Sequence, residues 1–223
     1  MKQGEQWISI SDLMSVLMMV FLFISIALLV NEQSQNKKIK EKIKQTEEIS
    51  KKINSAIDKE FRNDFKDWKV EKLRDGTIRF QSPKIMFLPN KHKLKKEFTK
   101  ILDDFCPRFI NLMYSKFSKE IHEIKITGHS SKEFNTRIQR FRRLRNAQLS
   151  ILRAWEVHRY CYDSLKKHKE WFSSKVVTIG ANYVHTIKAP VTKKENKKLS
   201  RRVEFKVIPK KLSDIEEYFI KVD

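Results

Sequence analysis

The sequence predicts an α+β protein in three parts: a single N-terminal transmembrane helix in residues 1–30, a helical or coiled-coil linker in residues 31–60, and a βαβαβ sandwich domain in residues 61–223. Three observations predict it. Trp7 to Val30 is an apolar run of 24 residues holding one ionisable group and neither Gly nor Pro. The stretch that follows is polar, also free of Gly and Pro, and rich in helix formers. Beyond it, short alternating runs and amphipathic patterns follow in strand–helix–strand–helix–strand order, which indicates one sheet with helices packed on a face.

At about 1.5 Å per residue the apolar run reaches about 36 Å, enough to cross a hydrocarbon core of about 30 Å. It is too long for a signal-peptide core, and Asn31-Glu32-Gln33-Ser34-Gln35 after it offers no small-residue cleavage pattern. Its ionisable group is Asp12. A carboxylate there costs roughly 2.5–3.5 kcal/mol, so it needs a partner or a task, and the usual task is to carry or relay an ion. Ser9, Ser11 and Ser15 gather in the same half of the run. Ser11 and Ser15 lie one turn apart beside Asp12, a polar patch that requires a protein or water-lined neighbour. Both are candidates to offer hydroxyls to an ion path. The plain alternative is a passive anchor whose Asp12 sits shallow and snorkels to the interface.

In the linker, Ile39, Ile43, Thr46, Ser50, Ile53 and Ile57 follow 4-3-4-3-4 spacing. That is a weak coiled-coil seam, or one face of a solvated helix. The domain begins near Phe61. Trp68–Leu73 and Thr77–Phe80 alternate across Asp75-Gly76, a hairpin turn signal. Ile85–Leu88 is a short apolar stretch. Leu94, Phe98, Ile101, Leu102 and Phe105 share a helical face, which Pro107 kinks or ends. Glu123–His129 reads as a strand leading into a loop. A helix over Gln139–Lys166 carries Leu144, Leu149, Leu152, Trp155, Val157 and Tyr160 as its apolar positions. Lys175–Ile179 and Arg202–Ile208 are strands, and a short helix with Ile215, Tyr218 and Phe219 closes the chain.

The 223 residues carry a formal net charge of +21, spread along the whole polar part. Such a surface attracts polyanions: nucleic acid, anionic lipid or cell-wall polymer. Two cysteines, Cys106 and Cys161, are too few for a disulfide framework. Their apolar neighbours make buried free thiols the default, with a pair between them left open. No His/Cys/carboxylate spacing suits a metal, and four glycines include no phosphate-cradling loop. Lys37, Lys38, Lys40, Lys42 and Lys44 follow the apolar run against Lys2 before it. Taken alone, that bias puts the C-terminal domain in the cytoplasm, although a long domain can translocate regardless of charge.

Two stretches point to one family. Trp7-Ile-Ser-Ile-Ser-Asp12-Leu-Met-Ser-Val-Leu-Met-Met-Val-Phe-Leu22 resembles the start of MotB-type stator subunits: an aromatic residue, a short polar stretch, Asp, then Leu/Phe-Met. Ile124-Lys-Ile-Thr-Gly-His129, then Asn146-Ala-Gln-Leu-Ser150-Ile-Leu-Arg153-Ala154, then Arg201-Arg202-Val203-Glu204-Phe205 is similar to the OmpA/MotB C-terminal domain. Within that family the short N-terminus, the Ser11-Asp12-Leu13-Met14 form and the Lys-rich linker are most similar to the B component of the Zorya anti-phage defence system. The resemblance implies a single-pass bacterial inner-membrane protein, N-terminus cytoplasmic and OmpA-like domain periplasmic. It implies a homodimer inside five copies of a polytopic MotA-like (ZorA-like) subunit. Asp12 would carry H+ or Na+, no cofactor would be needed beyond that translocated ion, and the domain would hold peptidoglycan rather than nucleic acid. The chain would be a motor subunit and not an enzyme.

By the same resemblance the peptidoglycan-binding candidates are His129, Ser131, Asn146, Arg153 and Arg202. Where the family has Gly-His-Thr-Asp, this chain has Gly128-His129-Ser130-Ser131, so the anion that meets a stem ammonium is missing. Glu133 is the candidate replacement. Ser200 stands where the family has Asn. Arg153 either pairs a stem carboxylate or satisfies loop carbonyls. His129 shapes the loop rather than binding metal, and Asn146 and Ser150 organise the start of their helix. The basic stretch Arg137–Arg145 either meets anionic polymer or is solvated. The rival readings are a passive membrane-tethered wall-binding protein, a flagellar-type MotB subunit, and a cytoplasm-facing nucleic-acid receptor.

Overall fold

The computed structural model describes residues 2–81, 83–88, 90–132, 138–190 and 192–210, with the side chains of 2–12, 83 and 84 outside the description. Glu133, Arg137 and the closing helix expected around Ile215 lie outside the described residues. The chain divides into two compact units, residues 1–45 and 46–223.

The first unit is the N-terminal part of helix α1 (Lys2–Asp67). From Leu13 to Val30 its large apolar side chains are exposed, Phe23 by 71%. A helix apolar all round is suited to lipid or to other helices, not to water. It is long and apolar enough to cross a membrane.

The second unit starts within the last part of α1. Ile53, Ile57, Phe61 and Phe65 recur every four residues and are all buried, so one stripe of the helix enters the core. The domain therefore begins upstream of residue 61. Ile53 and Ile57, read from sequence as a seam, instead fill the domain's own interior. Strands β1 (Val70–Lys72) and β2 (Ile78–Phe80) form the expected antiparallel hairpin. Its turn uses Gly76 at φ 82°, a left-handed conformation that favours glycine.

Helix α2 (Pro83–Met86) and a bridge between Phe87 and Leu94 lead into α3 (Lys96–Phe117). Pro107 lies inside α3 and does not end it. Phe98, Leu102, Phe105, Phe109 and Met113 are buried on both sides of it. At roughly 1.5–3 kcal/mol per large apolar side chain, that continuous face outweighs the roughly 3 kcal/mol of an internal proline.

Strand β3 (Ile121–His129), helix α4 (Gln139–Ser164), the short α5 (Lys169–Lys175) and strand β4 (Val176–Gly180) follow. Helix α6 (Lys197–Ser200), capped by Asn196 Oδ1, precedes β5 (Arg202–Pro209). The five strands run in the order β1-β2-β5-β3-β4, with β3 and β4 parallel and the remaining pairs antiparallel. This is the anticipated α+β domain, with the short helices α2, α5 and α6 added.

The buried face of α4 differs from expectation. Asn146, Leu149, Ser150, Arg153, Ala154, Val157 and Cys161 face inward, whereas Leu144 and Trp155 are about half exposed. The helix crosses so close to β3 that a Cβ on Gly128 would collide with the carbonyl of Ser150. Small and polar residues are what fits there. Cys106 on α3 and Cys161 on α4 are joined in a disulfide, which replaces the free thiols expected by default. Both lie where α3 packs along α4, with Cα atoms 5.3 Å apart, within bridging range.

Candidate functional site

Strands β3 and β5 pair so that His129 lies opposite Arg202. Two residues further along β5, Glu204 gathers the charged groups of this sheet end. Its Oε1 accepts from Arg202 Nε at 2.7 Å and from Arg79 Nε at 2.8 Å, and its Oε2 lies 3.0 Å from His129 Nε2. Arg202 also donates to the carbonyls of His185 and Ser200. Burial pushes the Glu204 carboxyl up, but hydrogen bonds from His129 and Arg202 outweigh it and hold it far below the usual carboxylate range. Burial lowers His129, Arg202 lowers it further, and the bond to Glu204 only partly offsets them. The imidazole is thus neutral at pH 7. Facing an ionised carboxylate, Nε2 carries the proton, which leaves Nδ1 as an acceptor.

On the α4 side of β3 a second network forms. Ser130 N donates to Asn182 O at 2.9 Å, and Ser130 Oγ donates to Asn146 O at 3.3 Å. Asn182 N donates to Ser150 Oγ at 3.0 Å, and Asn146 Nδ2 to Arg142 O at 3.0 Å. Asn146 and Ser150 are fully buried. They tie the start of α4 to the ends of β3 and β4.

Arg153 is 2% exposed. Its Nε donates to Lys91 O at 3.1 Å, and its guanidinium carbon lies 5.2 Å from the centre of the Phe87 ring. It staples the 87–94 segment to α4 by satisfying a loop carbonyl.

Among the described residues, five buried side-chain polar atoms lack a hydrogen-bond partner: His129 Nδ1, Ser131 Oγ, Arg142 Nε, Asn146 Oδ1 and Asn182 Oδ1. Buried polar atoms are normally paired. All five belong to the end of β3, the start of α4 or the loop after β4. The same region opens into a cleft of roughly 430 Å³ lined by Lys132, Gln139, Arg142, Arg143, Asn182, Tyr183 and Val184. No group of His, Cys, Asp or Glu among the described residues is arranged to hold a metal.

The opposite end of the sheet receives helix α1. Lys72 Nζ donates to Asn54 O at 3.0 Å and pairs with Asp58 at 2.6 Å. Thr46, Ser50 and Asn54 share a groove with Val207, Ile208 and Pro209. Strand β5 therefore links the end that receives α1 to the end that carries Arg202.

No family model matches the chain. The Zorya protein ZorB of Escherichia coli is 37% identical over 214 residues, covering 93% of this chain and 89% of that protein. The chain belongs to the ZorB family. Solved structures similar to this ZorB-family chain include the cell wall anchor of the type VI secretion system from Pseudomonas aeruginosa, with a TM-score of 0.49, 18% identity and 69% of this chain against 97% of that one. The periplasmic domain of Helicobacter pylori MotB gives 0.45, 16%, 67% and 88%.

Of the residues singled out in sequence, His129 and Arg202 converge on Glu204, while Asn146 joins the Ser130–Asn182 network. Ser131 adjoins them with an unpartnered hydroxyl, and Arg153 is held separately against Lys91. Asp12 and Ser11 lie in α1 with side chains outside the description, and Ser15 is exposed on the same helix. Sequence reasoning missed Glu204 as the common acceptor, and Asn182 and Tyr183 as part of the cleft. Glu204 carried a signal, since an acid two residues after Arg202 on a strand lies on the same face as that arginine. Asn182 and Tyr183 carried none.

Proposed function

We propose that this ZorB-family chain is the wall-anchored stator-type subunit of an ion-driven membrane motor in antiviral defence. A pair of chains stands inside five polytopic ZorA-like (MotA-like) subunits, and Asp12 carries H+ or Na+ across the inner membrane with Ser11 and Ser15 beside the path. The observation that carries this reading is the pairing, in one ZorB-family chain, of an apolar helix bearing a lone carboxylate with a domain whose unpartnered polar atoms gather at one end. The role is mechanical and ion-conducting rather than enzymatic.

The domain is assigned to the periplasm, with peptidoglycan as its ligand. The disulfide between Cys106 and Cys161 supports that side, because disulfides form in oxidising compartments and are rare in the cytosol. It outweighs the lysines after the span and counts against a cytoplasmic nucleic-acid receptor. His129, Ser131, Asn146, Arg153 and Arg202, all buried, shape the wall site by holding its strands and loops, while the adjoining cleft faces the ligand. Pull on the wall would pass along β5 to the end that receives α1.

Substituting Asp12 tests the motor reading. Asp12→Asn should leave membrane insertion and copurification with the polytopic partner intact and abolish phage protection, and Asp12→Glu should retain part of it. Protection at the wild-type level in Asp12→Asn would sink ion carriage and leave a passive tether. For anchoring, the detergent-solubilised full chain should sediment with purified peptidoglycan.

A further inference from the structure

The cleft at the start of α4 differs in charge from the other clefts of the domain. Four others each carry an acid: Asp58 in one, Asp103 in another, Asp75 in a third, Glu47 with Asp75 in a fourth. Among the described residues this one is lined by Lys132, Arg142 and Arg143 and by no carboxylate. Glu195 accepts the backbone N–H of Lys132 at 3.3 Å but does not line the cleft. No ion pair is recorded for the side chains of Lys132, Arg142 or Arg143 among the described residues. Four other arginines are ion-paired: Arg79 and Arg202 with Glu204, Arg108 with Glu60, Asp64 and Asp104, and Arg159 with Glu156 and Asp163.

Arg142 is also held in place. Its carbonyl accepts from the buried Asn146 side chain, its N–H donates to Ile138 O, and its Nε is buried with no acceptor. A charged N–H withdrawn from water without an acceptor is costly, and an oxyanion reaching Arg142 Nε would relieve that cost with a charge-assisted hydrogen bond. Arg143 and Lys132 supply further donors, and Tyr183 forms part of the wall. The positive end of the α4 dipole adds to the same field.

The geometry points to an oxyanion-binding subsite formed by Arg142, Arg143 and Lys132, which takes a carboxylate or phosphate group of the anchoring ligand. It rests on the wall-binding reading above and specifies it. The site's positive charge selects an acidic rather than an amine part of its ligand. A free stem-peptide carboxylate and a phosphate ester share this chemistry.

The test uses the full chain in detergent micelles and titrates four probes: a soluble muropeptide with free carboxylates, the same muropeptide amidated, inorganic phosphate, and phosphatidylglycerol against phosphatidylcholine vesicles. The wild type should prefer the free-acid muropeptide, or the phosphate-bearing probes, by tenfold or more over the neutral counterpart. The variant R142Q/R143Q should lose that preference with an unchanged melting temperature, and R142K/R143K should regain part of it. A K166Q/K167Q control on a separate cleft should bind as wild type. Equal binding of acidic and neutral probes, or a preference kept by R142Q/R143Q, would overturn the subsite. Failure of the full chain to sediment with peptidoglycan would instead strike the wall-binding reading. Which acidic probe responds separates carboxylate from phosphate.

Discussion

His129 and Glu204 meet at 3.0 Å across the paired strands β5 and β3, and each fixes the other's protonation state. Both titrate lower in the folded protein than in the unfolded chain. For His129 the native state resists a proton that the unfolded chain accepts below about pH 6.5. Stability should therefore fall as pH drops through that value. For Glu204 the unfolded carboxyl protonates near about pH 4.3 while the native one stays ionised, so a second loss begins there. Denaturant titrations at pH 8, 6, 5 and 4 should show a plateau at neutral pH and a decline below it. His129→Gln should flatten the upper part of that decline, with His158, lowered by its own burial, contributing the remainder. A wild-type curve level from pH 7 to 5 would rule out the buried neutral imidazole.

Removing the carboxylate should cost more than removing the imidazole. Glu204→Gln leaves Arg202, 4% exposed, and Arg79 facing an amide. Breaking a buried ion pair on one side costs about 3–5 kcal/mol. The partial exposure of Glu204, 15% for its side chain, favours the lower end. The melting midpoint should fall by roughly 6–12 °C, on a scale of roughly 2–4 °C per kcal/mol for a domain of this size. The double variant Arg79→Gln/Glu204→Gln should recover little, because Arg202 stays buried and uncompensated.

What was legible in sequence follows the physics of each element. The apolar run and the Asp75-Gly76 hairpin rest on local rules, and both are present. The strands around Ile124–Ile126 and Val203–Phe205 alternate in sequence and in burial. On α4, Leu149 and Val157 face inward as their spacing indicates, but Trp155 does not, because Gly128 lets the helix crowd the strand, which admits Ser150 and Ala154 and turns Trp155 outward. No local pattern reveals a helix–strand approach between residues so far apart. The apolar pattern that continues past Pro107 at Phe109, Leu112 and Met113 is the local sign that the helix runs on, and those side chains are buried. The cleft joins α4 to the loop after β4, and only the parallel pairing of β3 with β4 brings those segments together.

The disulfide provides a test of stability and of compartment. Cys106 and Cys161 are 55 residues apart in sequence, and closing a loop of that length stabilises by about 4 kcal/mol in the chain-entropy picture. Cys106→Ser/Cys161→Ser, or reduction of the wild type, should lower the melting midpoint by roughly 8–16 °C on the same scale. In cells, denatured wild-type chain should resist maleimide labelling until reduced. Labelling without reductant would place the cysteines in a reducing compartment and contradict a periplasmic domain.

Arg153 separates holding the site from touching the ligand. Its guanidinium is enclosed, donating to Lys91 O and lying over Phe87. Arg153→Ala removes that bond and the packing together, a loss of about 2–4 kcal/mol. Arg153→Lys keeps the charge but cannot reproduce the planar donor or its stacking, so it should recover only part. Peptidoglycan sedimentation well below each variant's melting midpoint should then track the folded fraction. R142Q/R143Q should show the opposite pattern, with weaker capture at an unchanged midpoint. If Arg153→Ala stayed as stable as wild type yet lost all wall capture, its guanidinium would be a direct ligand contact and not the clasp on the 87–94 segment.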